Sequence, residues 1–153
     1  MEGLINPTSR GGRAAGFTVI FLRRERWAMF YVEDQTIYLT RGDTATLAVT
    51  LATENGEEYT VGADDILTLT VRKEPKADSP VIFRRSVTGK QEIDILPEDT
   101  RDAEIGQYSA DAQITTATGD IFTVFPRLEG SARYKTKNYK NFVVMPEVTI
   151  DGQ

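Results

Sequence analysis

Glu104-Ile105-Gly106-Gln107-Tyr108-Ser109-Ala110-Asp111-Ala112-Gln113-Ile114-Thr115 is the stretch on which the reading of the fold turns. From Tyr108 onward Tyr108, Ala110, Ala112 and Ile114 alternate with Ser109, Asp111, Gln113 and Thr115. A period of two marks a β-strand with one face packed and the other in water. The same period recurs along the chain. Thr36 to Thr40 begins a strand; Leu47, Val49 and Leu51 alternate with Thr46, Ala48 and Thr50; Leu67, Leu69 and Val71 alternate with Thr68, Thr70 and Arg72. Val81 and Phe83, then Ile93 and Ile95, then Phe122 and Val124, and finally Val143 and Met145 continue the pattern. Thr, Val, Ile and Tyr suit a pleated, half-buried surface.

The punctuation between these runs agrees. Asn55-Gly56 is a short-hairpin signal because both residues tolerate positive φ. Thr118-Gly119-Asp120 separates two alternating runs as a second tight hairpin. Residues 73–80 form a polar connection holding Pro75 and Pro80. Pro97-Glu98-Asp99-Thr100 reads as one helical turn, with proline first and acids near its positive end. No stretch has the length of a packed amphipathic helix. Seven or eight short strands with frequent turns predict an all-β sandwich or small barrel.

The spacing acid-x-Gly-x-Tyr-x-small at Glu104, Gly106, Tyr108 and Ala110 resembles the tyrosine corner of immunoglobulin-like domains. That resemblance implies an immunoglobulin-like antiparallel β-sandwich, with Gly106 and Tyr108 as its structural corner and the Tyr108 hydroxyl bonded back to upstream backbone. Ala110 stands where an antibody domain has its second cysteine. The inter-sheet disulfide is missing, and Trp27 lies outside the sandwich region.

The chain has 153 residues, no cysteine and no histidine. It is long enough for one domain and a sizeable core, with no disulfide or thiolate metal site to staple it. Triads built on histidine and most zinc or iron sites are excluded by composition. The expectation is a protein that is not an enzyme, with no catalytic residues, no cofactor and no metal. The formal charge of −5 is uneven. Residues 1–28 carry five Arg against two Glu, residues 29–126 carry 8 basic and 18 acidic side chains, and residues 127–153 carry five basic against three acidic. An acidic body repels phosphate backbones, so nucleic acid is not expected as a partner.

Three parts follow from this reading. Residues 1–28 form an N-terminal extension, either a mis-assigned start before Met29 or a flexible arm that adds a strand to a neighbour through Phe17 to Leu22. Ala14 to Leu22 is a short apolar run behind Arg10 and Arg13, a weak signal-peptide pattern without a small-residue cleavage site, and far too short to cross a membrane. Residues 29–126 form the sandwich. Residues 127–153 form a basic, aromatic C-terminal segment that holds the last strand pattern. There Arg133, Tyr134, Lys135, Lys137, Tyr139, Lys140 and Phe142 are the candidate interface, since Tyr and Arg are enriched where proteins meet.

Other groups read as structure. Arg41-Gly42-Asp43 spells an adhesive tripeptide but falls where a turn belongs. Asp64-Asp65 and the Glu98, Asp99, Asp102, Glu104 group offer oxygens to calcium, without the spacing of a calcium loop. Exposed aromatics such as Tyr59 and Tyr134 leave a second function class open, a carbohydrate or cell-surface binding module.

Four strings together resemble small tail and baseplate structural proteins of phages and prophages of Gram-positive bacteria, related to the N-terminal domain of upper baseplate proteins. They are Ile37-Tyr38-Leu39-Thr40-Arg41-Gly42-Asp43-Thr44, then Asp65 to Lys73, then Gly106 to Asp111 with Gln113 to Thr116, and Pro146-Glu147-Val148-Thr149. The likeness spans about residues 35–150 and departs from the family at the basic insertion 128–141 and at the N-terminus. It implies a structural module of a virion, present in the bacterial cytoplasm before assembly. Its partners would be other virion proteins and further copies of itself, with no membrane.

Overall fold

The computed structural model describes residues 17–22, 31–33, 36–53, 57–126 and 140–147. The strands are β1 (Phe17–Leu22), β2 (Tyr31–Glu33), β3 (Thr36–Thr40), β4 (Ala45–Thr53), β5 (Glu58–Tyr59), β6 (Ile66–Arg72), β7 (Val81–Thr88), β8 (Glu92–Ile95), β9 (Gly106–Thr115), β10 (Ile121–Phe125) and β11 (Phe142–Met145). A single helical turn, α1 (Pro97–Thr100), stands between β8 and β9. The chain is an all-β sandwich. One sheet is centred on β4, which pairs with β1, β5 and β8; the other runs β2-β3-β11-β9-β6-β7, with β10 also on β9.

In β4, β6, β8 and β9 the inner faces are those the alternation predicts, whereas Val81 of β7, expected on the same face as Phe83, is exposed. Leu47, Val49 and Leu51 of β4 with Ile93 and Ile95 of β8 meet Leu67, Leu69 and Val71 of β6, Ala110, Ala112 and Ile114 of β9, and Ile37 and Leu39 of β3 in one buried cluster. Each fully buried Leu or Ile contributes roughly 1.5–3 kcal/mol, and that burial takes the place of a disulfide. Alternating polar residues make ladders on the outer faces, such as Thr68 Oγ1 to Ser86 Oγ at 2.8 Å and Thr46 Oγ1 donating to Asp94 Oδ1 at 2.9 Å.

Three readings from sequence are corrected. Residues 1–28 are not wholly an appendage, because Phe17–Leu22 pairs antiparallel with β4 of the same chain, from Phe17 opposite Thr53 to Leu22 opposite Val49. The last strand expected after residue 126 is formed, and β11 lies between β3 and β9. The sheet is mixed, since β11 runs parallel to β3 while antiparallel to β9. A parallel pair needs a long connection, and the whole domain between residues 40 and 142 supplies it. Finally, the phase of β11 is the reverse of that expected. Phe142 and Val144 are buried, while Val143 and Met145 are partly covered on the other side. Four consecutive apolar residues give no phase by themselves, and a slip of one residue exchanges the faces.

The crossing from one sheet to the other is held at two points. Asp99 Oδ2 accepts the Leu96 N–H at 2.8 Å, which closes the start of α1. The same carboxylate takes a bidentate grip from Arg85 of β7, at 2.7 and 2.8 Å. Then, at the start of β9, the Tyr108 hydroxyl donates to the Glu104 carbonyl at 2.5 Å. Gly106 between them has φ +152, a conformation that side chains disfavour. Burial and the nearby Glu104 carboxylate push the Tyr108 phenol up, so it remains a donor. The Asn55-Gly56 turn lies outside the described residues. The Thr116–Asp120 hairpin is formed, with Gly119 at φ +92.

Replacing Tyr108 with Phe removes one buried hydrogen bond and is expected to cost about 1 kcal/mol. Urea unfolding of the two proteins side by side measures it, and identical midpoints would show that the hydroxyl does not fasten the corner.

Candidate interaction surface

The two strands that flank the segment of most unusual composition, β10 before it and β11 after it, both lie beside β9. On one flank β9 pairs with β6 from Ser109 to Thr115. On the other flank two separate strands share it: β10 covers Ala112 to Thr115 and β11 covers Gly106 to Tyr108. Both run antiparallel to β9, so they are two halves of one strand line, interrupted by residues 126–141. Ser109 to Asp111 face the break.

Asn141 closes it. Its main-chain N–H donates to the Tyr108 carbonyl at 3.0 Å, and its carbonyl accepts the Ile37 N–H at 2.8 Å. Its side chain then does what a peptide group would do in an unbroken strand. Oδ1 accepts the Ala110 N–H at 2.6 Å and Nδ2 donates to the Ala110 carbonyl at 2.8 Å. Asn141 is 0% exposed. Only an amide side chain offers donor and acceptor together in this arrangement, and an unpaired buried peptide group costs about 1–3 kcal/mol. The sequence reading passed over Asn141. Its one signal is an asparagine placed directly before an apolar run, where a loop residue is the default.

The two neighbours of Asn141 are also fixed. Lys140 Nζ reaches past β9 to the Lys73 carbonyl at 2.7 Å and Glu74 Oε1 at 2.9 Å. Its ammonium holds the Glu74 carboxyl below the usual carboxylate range. Phe142 is buried, its ring 5.7 Å from that of Phe83 in an edge-to-face contact. Two candidate interface residues are therefore corrected. Phe142 is core, because its strand is internal to the sheet, and Lys140 is an anchor engaged within its own chain. Arg133, Tyr134, Lys135, Lys137 and Tyr139 lie outside the described residues. What the fold provides is their mounting: the excursion leaves β10 after Phe125 and returns at Asn141, on one flank of β9.

Most other singled-out groups serve as joints. The Arg41 guanidinium contacts Glu147 Oε1 at 3.0 and 3.2 Å and the Ala103 carbonyl at 3.3 Å, while Gly42 N–H donates to Thr100 Oγ1 at 2.8 Å. The tripeptide is a clamped turn. Asp65 is 4% exposed. Its Oδ2 accepts the Tyr59 hydroxyl at 2.6 Å and the Gly62 N–H at 2.8 Å, and its Oδ1 accepts the Ala117 N–H at 3.2 Å. Tyr59 is accordingly half-buried and bonded inward, which corrects its reading as an exposed aromatic; burial first, then Asp65, raises its phenol far above the ordinary value. With Asp65 and Asp99 engaged in this way, no group of three or more metal-ligating side chains occurs among the described residues. Nor, among them, is any helix long and apolar enough to cross a membrane.

Asp111 is different. It stands on the outer face of β9 near Arg72 and Arg84, and burial raises its carboxyl above the ordinary value despite the pull of both guanidiniums. The chain matches no protein-family model and no curated protein sequence.

Replacing Asn141 with Leu leaves both Ala110 peptide groups unpaired and is expected to cost about 2–4 kcal/mol. Denaturant unfolding measures the loss, and hydrogen exchange should show Ala110 as the amide most deprotected; an unchanged Ala110 amide would refute the splice. Asp111 has the opposite sign. A folded pKa above the ordinary 3.8 means that ionisation weakens the fold at neutral pH, with the cost fading as the pH falls through the folded value toward 3.8. Asp111→Asn should therefore raise the unfolding midpoint at pH 7 and lose that advantage below 3.8. A lowered midpoint at neutral pH would instead make the Arg72 and Arg84 attraction dominant.

Proposed function

We infer that this protein is a non-enzymatic structural component of a phage or prophage particle, in its tail or baseplate, and that it works through protein–protein assembly. The observation that carries the reading is the spliced strand. An acidic sandwich carries a segment whose residues 127–139 include Arg127, Arg133, Lys135, Lys137, Tyr134 and Tyr139, and the residues flanking it, Phe125 and Asn141, are both fastened to β9. A positive, aromatic segment on a firm base suits the acidic surface of a neighbouring subunit. Repetition of one such contact by symmetry builds rings or sleeves.

In immunoglobulin terms β4 and β8 correspond to strands B and E of one sheet. The order β9-β6-β7 corresponds to F, C and C′ of the other, with the β10 and β11 line as G. The turn α1 and the Tyr108–Glu104 bond fall at the corner before strand F. These correspondences, with the four strings that resemble baseplate proteins, support an immunoglobulin-like module of a virion, made in the bacterial cytoplasm and carried in the particle. The carbohydrate-binding alternative loses Tyr59, whose hydroxyl is committed to Asp65.

The test is biochemical. Particles purified after phage induction of the source cell are probed with antibody against this chain, before and after detergent washing. Retention in washed particles is expected, together with tail or baseplate genes beside its own. Its absence from particles, or a setting among metabolic genes, would sink the proposal.

A further inference from the structure

The sandwich has one flank where both sheets end in strands of opposite charge. Among the described residues β7 pairs with β6 and with no other strand, and β8 pairs with β4 and with no other strand. The two are joined by only residues 89–91, and the Arg85–Asp99 grip ties α1, which follows β8, back to β7. The edges of both sheets thus lie along the same flank. β7 presents Arg84 on its outer face, exposed, with Ser86 and Thr88 exposed beyond it. β8 presents Glu92 and Asp94 on its outer face, both exposed, with Ile93 and Ile95 turned inward. An open edge is a template for another strand.

The charges discriminate between the strands that could add there. A second copy pairing β7 with β7 about a two-fold axis normal to the sheet keeps each face with itself, so the register is centred on a residue. At the middle of Val81–Thr88 that residue is Arg84 or Arg85: the first choice sets the exposed Arg84 opposite its own copy, and the second brings together two arginines already bound to Asp99, with no carboxylate opposite Arg84. Like charges directly opposite are destabilising. Pairing β8 with β8 opposes carboxylates in the same way. Pairing β7 with β8 puts Arg84 beside Asp94 or Glu92 on one continuous outer face. Because both edges share a flank, a two-fold axis along it makes that contact twice, each β7 beside the other copy's β8.

We propose that two copies of this chain join along the β7–β8 flank, β7 of each pairing with β8 of the other, with Arg84 and Asp94 setting the choice of partner strand. The proposal rests on the assembly reading above and names a contact for it. It is closed, because a two-fold contact uses each edge once and leaves no open strand on that flank.

Charge reversal tests it on the full chain. Arg84→Glu, Asp94→Arg and the double variant are compared with the natural sequence by sedimentation equilibrium over a range of protein concentrations. Circular dichroism and melting curves check that each variant folds. The natural chain should form dimers that weaken as salt is raised. Either single reversal should raise the dissociation constant about tenfold or more, and the double variant should restore it. A natural chain that stays monomeric throughout, or dimers indifferent to both reversals, overturns the edge pairing. Neither result touches the assembly reading, which stands or falls on the presence of the chain in washed particles.

Discussion

Every peptide group inside a β-sandwich must find a partner, and one side-chain amide meets that demand at the point where this sheet is broken. Asn141 stands in for the missing stretch of strand beside Ala110 while its backbone joins β9 and β3. The consequence is architectural. A strand line can be opened and a long segment inserted without leaving buried peptide groups unpaired, provided that the residue at the point of return carries both a donor and an acceptor. The described ends on either side of the basic, aromatic segment, Phe125 and Asn141, are thereby both held against β9.

The same economy applies to the acidic side chains. Asp65 gathers Tyr59, Gly62 and Ala117, and thereby ties the chain before β6 to the hairpin after β9. Asp99 closes a helical turn and holds Arg85 across the gap between sheets. Glu147 and Thr100 fasten the turn at Arg41 and Gly42 from two directions. In a domain without disulfides, these contacts fix the connections between sheets while the apolar cluster provides most of the stability. A carboxylate surrounded by donors is poorly placed to act as a base or to bind a cation.

Charge then shapes the outside. The body of the chain carries a net negative charge, while residues 127–140 carry five basic side chains. Arginine on one open edge and carboxylates on the adjacent edge disfavour like pairing and favour unlike pairing. Edge strands are usually protected by charge against indiscriminate association. Here the two signs are separated on neighbouring strands, so the same protection leaves one orientation open.

Alternation in the sequence was enough to establish an all-β chain and the inner faces of β4, β6, β8 and β9, because a period of two is a local property that each segment carries by itself. The helical turn at Pro97 and the hairpin at Gly119 were legible for the same reason, since proline and glycine restrict or release φ wherever they stand. Partnership was not local. That Phe17–Leu22 belongs to the sheet, that Phe142–Met145 enters between β3 and β9 and buries Phe142 instead of Val143, and that Asn141 completes the ladder at Ala110 all depend on which strand lies alongside. An asparagine in a loop and an asparagine completing a ladder are written identically in sequence. Only the tertiary arrangement, which sets Ala110 opposite the break, distinguishes them.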